Sequence, residues 1–146
     1  MRRCDPEDRA PLEAFYAAFE PKRAAQGLPP QGPERISRWL DAVLPAGIHL
    51  VVERDGALIG HALLVPAGEP GVSEYAVFLH QNDRGRGAGT EVNRVAVDVA
   101  REAGLERLWL SVEPDNRAAI GSYAKAGFHF LPGTTLSREV EMEIEL

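Results

Sequence analysis

Residues 78–90 read Phe78-Leu79-His80-Gln81-Asn82-Asp83-Arg84-Gly85-Arg86-Gly87-Ala88-Gly89-Thr90, which predicts an apolar strand, a glycine-rich turn and then a helix. Backbone N–H groups in such a turn converge on one point, and the positive end of the helix dipole lies behind them. Glycines let the main chain approach an anion because no Cβ stands in the way. Arg84 and Arg86 add positive charge beside the turn. The stretch therefore predicts a phosphate-binding site; the alternative is a purely structural turn.

Spacing excludes two common phosphate-binding loops. A Walker loop needs Gly-Lys-Ser/Thr at its end, and no lysine follows these glycines. A dinucleotide-binding fingerprint needs Gly-x-Gly-x-x-Gly, and its third glycine would fall on Thr90 or on Val92. The turn is therefore neither of these loops.

A second informative stretch follows further along the chain. It reads Asn116-Arg117-Ala118-Ala119-Ile120-Gly121-Ser122-Tyr123-Ala124-Lys125-Ala126-Gly127-Phe128. Asn116 and Ala119 are three residues apart, and Ala119 and Tyr123 are four apart, so one helical face can present all three to a common cleft. The alternative is an ordinary amphipathic helix with a capping asparagine and a core tyrosine.

Together the two stretches resemble the GNAT acetyltransferase superfamily, which transfers an acyl group from acyl-coenzyme A to an amine. The family's turn pattern, Arg/Gln-x-x-Gly-x-Gly/Ala, is matched by Arg84, Gly87 and Gly89. Its second pattern is matched by Asn116, Ala119, Tyr123, Gly127 and Phe128. The resemblance covers residues 46–146 well and the first 45 in outline.

The resemblance implies an α/β (α+β) fold in a single domain over residues 1–146. The expected architecture is a central mixed, mostly antiparallel sheet of about six or seven strands with about four flanking helices. A splayed pair of parallel strands is expected at the cofactor site. The strand–helix–strand unit over residues 72–112 would supply that pair.

The implied activity is N-acetyl transfer from acetyl-CoA to a primary amine of a small molecule or protein, by direct attack in a ternary complex. The turn would hold the pyrophosphate of coenzyme A, and the main chain near Phe78 and Leu79 would hold the pantetheine arm. The implied cofactor-binding residues are Phe78, Leu79, Arg84, Gly85, Arg86, Gly87, Ala88, Gly89, Thr90, Asn116 and Tyr123. The alternative is a non-catalytic module that binds or senses acyl-CoA.

Two residues are implied as catalytic. Tyr123 matches the family's tyrosine that protonates the leaving thiolate; the alternative is that it only packs against the cofactor. Glu74 lies early in the fourth strand, where some family members place a catalytic glutamate. By strand alternation it shares a face with Ala76 and Phe78, so it is a candidate general base, acting directly or through water. A structural or solvated glutamate is the alternative.

Periodicity and turn residues predict the secondary structure. Helices are expected at 7–20, 34–44, 89–103 and from 116 to Gly127, and strands at 1–4, 48–53, 57–65, 72–80, 105–112, 128–131 and 139–145. Asp55-Gly56 predicts a tight hairpin turn. The run Val77-Phe78-Leu79 breaks the alternation of a half-buried strand, which predicts either burial on both faces or a bulge.

Composition excludes several function classes. The 146 residues include 16 basic and 22 acidic ones, for a net charge of −6, which argues against a nucleic-acid partner. Cys4 is the single cysteine, so a reducing compartment is expected, with the cytoplasm as the default. No apolar run approaches the roughly 18 to 20 residues of a membrane span. The four histidines are scattered and give no metal-ligand pair at helical or hairpin spacing, so no metal is expected. As candidates for the general base, His61 and His80 are weaker than Glu74.

The resemblance places the acceptor site between the first two helices, their connection at 21–33 and a last hairpin at 132–138. Phe15, Phe19, Leu28 and Trp39 could line an apolar acceptor pocket. Amphipathic helices place such residues in the core by default, which is the competing interpretation. A homodimer is compatible with the resemblance because small members of the family often pair.

Overall fold

The computed structural model describes residues 1–23, 27–132 and 140–146. Four α-helices lie within these ranges: α1 (Arg9–Ala18), α2 (Pro33–Val43), α3 (Ala88–Glu102) and α4 (Arg117–Lys125). The strands are β1 (Arg2–Arg3), β2 (Ile48–Arg54), β3 (Ala57–Pro66), β4 (Val72–Leu79), β5 (Arg107–Val112), β6 (His129–Phe130) and β7 (Val140–Glu145). Each predicted element is present within a few residues of its expected ends; Glu139 lies outside the described residues.

The strands form one sheet in the order β1-β2-β3-β4-β5-β7-β6. Every neighbouring pair is antiparallel except β4 and β5, which are parallel. The predicted mixed, mostly antiparallel sheet with one parallel pair and four helices is confirmed. The single domain over residues 1–146 stays a prediction.

Apolar side chains pack on both faces of the sheet. Helices α1 and α2 cover one face, where Tyr16 packs against Phe78 of β4 and Leu40 belongs to the same cluster. Helices α3 and α4 cover the other face, where Ala96 and Tyr123 pack in one cluster with β4 and β5. Two helix layers therefore enclose β4, the strand that leads to the glycine turn.

Burial on both faces explains the unbroken apolar run in β4. Phe78 packs in the cluster under α1 and α2, whereas Val77 and Leu79 pack against the cluster under α3 and α4. The register between β3 and β4 runs without a shift from Pro66↔Ser73 to Gly60↔Leu79. Of the two alternatives offered by the sequence, burial on both faces is confirmed and the bulge is wrong.

The hairpin turn between β2 and β3 forms as predicted. Asp55 has φ 52° and Gly56 has φ 81°, so both central residues occupy the left-handed region. That geometry is typical of a type I′ turn, whose twist matches the twist of the flanking strands.

Two of the histidines are not scattered, contrary to the expectation from the sequence. Across the β2–β3 hairpin, His49 Nδ1 lies 3.0 Å from His61 Nε2, and His61 Nδ1 lies 2.5 Å from the Tyr16 hydroxyl. His49 Nε2 faces the carbonyl oxygens of Val43 at 2.9 Å and Ala46 at 2.8 Å, so it must carry a hydrogen. His49 Nδ1 then accepts from His61 Nε2, and His61 Nδ1 accepts from Tyr16. This chain of hydrogen bonds ties α1 and the end of α2 to the sheet.

In the described part of the chain, none of the helices has the length and apolar character that crossing a membrane requires.

Candidate active site

The parallel strands β4 and β5 separate soon after they pair. Their pairing covers Val72↔Arg107, Ser73↔Leu108 and Glu74↔Trp109, and β4 then continues to Leu79 without β5 beside it. The gap opens into a cleft of about 820 Å³. Strand residues that line the cleft are Val77, Phe78, Leu79, Ser111 and Val112. The splayed strand pair expected from the sequence is therefore present.

The glycine turn forms one end of this cleft. Gly85 and Gly87 have φ of 78° and 79°, a conformation that favours glycine, and Gly87 is the N-cap of α3. The first bond of the helix runs from Glu91 N–H to the Gly87 carbonyl at 3.3 Å. The N–H groups at positions 88–90 have no acceptor among the described residues, as is usual for a first helical turn. They offer an anion three backbone donors at the positive end of a helix dipole.

Arg84 fixes the start of the turn. Its Nε donates to the Leu79 carbonyl at 3.0 Å and its Nη2 to the Glu20 carbonyl at 2.8 Å, and its Cζ lies 4.9 Å from the centre of the Phe19 ring. Burial lowers the pKa of Arg84 from its usual value. The side chain holds the turn against the ends of β4 and α1 while its charge stays at the cleft. Arg86 and Ala88 are not among the cleft-lining residues.

The second stretch of sequence forms another part of the cleft wall. Asn116, Ala119 and Tyr123 all line the cleft, as the spacing predicted. Asn116 Oδ1 accepts from the Ala119 N–H at 3.3 Å and caps α4. Because this bond uses only the amide oxygen, the Asn116 NH2 group stays available to a ligand.

Tyr123 presents its hydroxyl from an aromatic cluster. The side chain is 8% exposed, and its ring centre lies 6.3 Å from that of Tyr75 and 5.8 Å from that of Phe128. The hydroxyl makes no hydrogen bond within the described ranges 1–23, 27–132 and 140–146. Burial raises the pKa of Tyr123 to about 12. The phenol is therefore protonated throughout the neutral range and can donate a hydrogen bond into the cleft.

The residues considered as general bases lie outside the cleft lining. Glu74 is half-buried at the last residue pair before β4 and β5 separate, so it flanks the closed end of the gap. It shares a face with Ala76 and Phe78, the face under α1 and α2. His61 is buried in the histidine chain, and His80 caps the short 3-10 helix before the turn. The carboxylates that do line the cleft are Glu113 and Asp115.

Sequence reasoning missed several polar residues of the cleft wall, which are Asn93, Ser111, Glu113, Asp115, Arg117, Ser122 and Lys125. Asn93 and Ser122 line the cleft, one on α3 and the other on α4. A signal for Asn93 was present in the sequence, because it falls on the apolar stripe of α3 between Val92 and Ala96. Asn93 is 1% exposed, and a buried polar side chain needs hydrogen-bond partners inside the protein.

The described residues test only part of the predicted acceptor pocket. Phe15 and Phe19 pack in the core cluster under α1 and α2, and Leu28 and Trp39 pack against that cluster. Phe19 also lines the cleft, together with Pro21. The core interpretation thus holds for all four residues, and of the four only Phe19 is also a lining residue of the cleft. Most of the hairpin at 132–138 and three residues of the 21–33 connection lie outside the described residues. Within the described residues no three His, Cys, Asp or Glu side chains form a group that could hold a metal ion.

The comparisons with known proteins agree with this geometry. The sequence model of the acetyltransferase (GNAT) family matches residues 12–128. A mycothiol acetyltransferase from Tsukamurella paurometabola is 34% identical over 134 residues, which cover 84% of this chain. The chain spans 44% of that relative's length.

Two solved structures share the fold over 99% of the chain. A ribosomal-protein-alanine N-acetyltransferase from Brucella melitensis superposes with a TM-score of 0.78 at 26% identity, over 98% of its own length. A putative acetyltransferase from Salmonella typhimurium, solved with its cofactor acetyl-CoA, gives a TM-score of 0.76 at 23% identity over 92% of its length. The splayed strands and the glycine turn agree with the match of the family model to residues 12–128. The chain belongs to the acetyltransferase (GNAT) family.

Proposed function

We propose that the protein is an N-acetyltransferase that transfers the acetyl group of acetyl-CoA to a primary amine by direct attack in a ternary complex. One observation carries this proposal. The cleft between the separated strands has free backbone N–H groups at one end and the hydroxyl of Tyr123 in its wall. Acetyl-CoA supplies an activated thioester; the chain's own residues must hold it, stabilise charge and move protons.

The glycine turn suits the pyrophosphate of coenzyme A. The N–H groups of positions 88–90 can donate to its oxygens, and Gly85 and Gly87 leave the approach open because no Cβ stands there. A Cβ built at either glycine would meet no heavy atom within 4 Å, so the space beside the turn is free. Arg84, Arg117 and Lys125 add positive charge around the cleft. The Asn116 NH2 group is a further donor in the cleft wall.

The edge of β4 suits the pantetheine arm and the thioester carbonyl. Beyond Glu74 the strand has no neighbour on the β5 side, so main-chain groups near Phe78 and Leu79 face the gap. A backbone N–H there can stabilise the negative charge that develops on the carbonyl oxygen. Such a donor is typically worth about 10²–10³ in rate.

Tyr123 is the proposed proton donor to the leaving thiolate. A thiol has a pKa near 8.5, and burial raises that of Tyr123 to about 12, so full proton transfer from the phenol costs roughly 5 kcal/mol on its own. The raised pKa nonetheless keeps the hydroxyl protonated at every pH at which the enzyme would work. Its contribution is a hydrogen bond to the developing thiolate, with proton transfer completed as the thiol leaves.

Glu74 is the proposed base that removes a proton from the acceptor ammonium, so that the neutral amine can attack. A lysine-like amine with a pKa near 10.4 must lose a proton before it attacks, at a cost of roughly 4–5 kcal/mol at pH 7. From the closed end of the gap Glu74 can reach an amine that enters on the α1 and α2 face, directly or through water. We propose this face as the acceptor entry because Phe19 and Pro21 line the cleft from that side.

The acceptor is proposed only as a primary amine. One relative is named for mycothiol and one structural neighbour for a ribosomal-protein alanine, so the family match supports a small molecule and a protein alike. A homodimer, the cytoplasmic location, and the absence of metal and nucleic-acid partners stay predictions.

Replacement of Tyr123 by phenylalanine tests the proton donor. We expect kcat to fall at least about tenfold, a modest part of what general acids contribute, while the Kd for acetyl-CoA changes less than about twofold. The fold should persist because the Tyr123 hydroxyl bonds to no described residue. Steady-state thiol release and calorimetric titration give the two constants. An unchanged kcat would show that Tyr123 only packs against the cofactor.

A further inference from the structure

Four polar side chains link the core of the protein to the cleft wall. The Tyr75 hydroxyl donates to Asn93 Oδ1 at 2.7 Å, and Asn93 Nδ2 donates to Ser122 Oγ at 2.8 Å. Thr90 Oγ1 lies 3.2 Å from Ser122 Oγ. Tyr75 and Asn93 are buried, whereas Thr90 and Ser122 are half-buried. Thr90, Asn93 and Ser122 line the cleft, so the chain of hydrogen bonds ends there.

The buried end of this chain fixes the direction of its hydrogen bonds. Tyr75 is 2% exposed, so its O–H needs an acceptor inside the protein. Asn93 Oδ1 is the acceptor that the structure provides. If the amide were turned over, its NH2 group would face Tyr75 and the phenol hydrogen would lose its acceptor. The amide nitrogen of Asn93 therefore points to Ser122, and Ser122 Oγ accepts from it.

One hydroxyl hydrogen of the Thr90–Ser122 pair has no acceptor among the described residues and is available in the cleft. A serine hydroxyl has one hydrogen and two lone pairs, and Asn93 uses one lone pair of Ser122. If Thr90 donates to Ser122, the second lone pair is used and the Ser122 hydrogen has no acceptor among the described residues. If Ser122 donates to Thr90, the Thr90 hydrogen is left instead. In either arrangement the pair keeps one O–H for a group inside the cleft.

The position of the pair indicates which part of a ligand it would meet. Thr90 lies in the first turn of α3, directly after the glycines, and Ser122 directly precedes Tyr123 on α4. A Cβ on Gly89 would lie 3.4 Å from Ser122 Oγ, so the two helices approach closely there. The pair thus connects the end of the site proposed for the pyrophosphate, at Thr90, with the residue that precedes Tyr123, which is proposed for the thiolate. The part of coenzyme A between these points is the pantetheine arm, which carries two amide carbonyl groups.

We propose that Ser122 is a cofactor-binding residue: oriented by Asn93 and paired with Thr90, it donates a hydrogen bond to a carbonyl oxygen of the pantetheine arm. This inference rests on the proposed function. Asn93 and Tyr75 act as positioning residues, because they reach the cofactor only through Ser122. The same hydrogen bonds hold α4 against α3 and so fix where Tyr123 presents its hydroxyl.

The test compares two ligands on three proteins. The ligands are coenzyme A and its nucleotide half, adenosine 3′-phosphate 5′-diphosphate, which lacks the arm. The proteins are the wild type, Ser122→Ala and Ser122→Thr, each titrated by calorimetry. We expect Ser122→Ala to weaken coenzyme A binding about threefold to tenfold, the usual effect of one neutral hydrogen bond. Binding of the nucleotide half should stay within about twofold, and Ser122→Thr should restore most of the affinity for coenzyme A.

The nucleotide half also reports whether the site is still folded. An equal loss for both ligands in Ser122→Ala would assign Ser122 a purely structural role and overturn the inference. Unchanged coenzyme A binding in that variant would overturn it too, while leaving the proposed function intact. If the wild type bound neither ligand, the proposed function would fall and this inference with it. Should Ser122→Ala fail to fold, Ser122→Cys, whose thiol is a weak donor, should show the same selective loss.

Discussion

Replacing Gly87 by glutamate is expected to weaken acetyl-CoA binding at least about a hundredfold. The carboxylate would stand beside the N–H groups that are proposed to hold the pyrophosphate. Two unit charges about 5 Å apart repel each other by about 3 kcal/mol at an effective dielectric constant near 20, which corresponds to more than a hundredfold in Kd. Nothing lies within 4 Å of a Cβ built at this position, so the loss would not come from a steric clash.

Gly68 offers a matched control for this variant. It has φ of 86° against 79° for Gly87, a Cβ there also meets nothing within 4 Å, and it is exposed in the turn after β3, away from the cleft. Gly68→Glu therefore puts the same side chain at a similar positive φ and adds the same charge. Thermal unfolding with acetyl-CoA at a hundred times Kd should show about 2.7 kcal/mol of stabilisation in the wild type and in Gly68→Glu. Equal stabilisation of Gly87→Glu would mean that the turn does not hold the cofactor.

Acidification from pH 6 to pH 4 is expected to destabilise the protein through His61. This side chain is 0% exposed, and burial, with a smaller contribution from the neighbouring His49, lowers its pKa from 6.5 to about 3. Between these two values the unfolded chain binds a proton that the folded protein does not, so stability falls as the pH falls. One such group changes the unfolding free energy by about 1.4 kcal/mol per pH unit. Above pH 7 His61 no longer contributes to the change of the unfolding free energy with pH.

Two variants separate the titration of His61 from the loss of a hydrogen bond. His61→Gln removes the ionisable ring and keeps a donor and an acceptor, so the slope between pH 4 and pH 6 should shrink by about 1.4 kcal/mol per unit. Tyr16→Phe removes the hydroxyl that bonds His61 and should lower stability by a similar amount at every pH. The hydrogen bond with Arg2 is the main reason that the pKa of Asp8 is lowered to about 2. Asp8 therefore loses its contribution to the unfolding free energy mainly below pH 4, outside the range assigned to His61. Urea unfolding across the range would contradict this account if His61→Gln kept the full slope.

The parts of the fold that depend on local chemistry could be predicted from the sequence. Asp55-Gly56 fixes its own turn because both residues tolerate a positive φ. The glycine turn and α3 follow from the spacing of Gly85, Gly87 and Gly89. Asn116, Ala119 and Tyr123 meet in one cleft because helical periodicity puts them on one face.

The contacts that depend on strand register could not be predicted in the same way. His49 and His61 are 12 residues apart in sequence and become neighbours only through the pairing of β2 with β3. The hydrogen bond between Asn93 and Ser122 joins two helices whose separation no local pattern encodes. Alternation puts Glu74 on the side of β4 that carries Ala76 and Phe78, but only the end of the β4–β5 pairing shows that Glu74 lies at the closed end of the gap.

The most direct test of the account is release of coenzyme A from acetyl-CoA in the presence of primary amines. The purified protein would be assayed with a panel that includes small amines, amino sugars and peptides with free α-amino and lysine groups. Thiol release and acetylated product would be measured together, with Tyr123→Phe and Gly87→Glu as controls. We predict that at least one amine accelerates thiol release in step with its own acetylation, and that both variants slow it. Tight binding of acetyl-CoA without thiol release from any amine would contradict the account and favour a non-catalytic acyl-CoA-binding module.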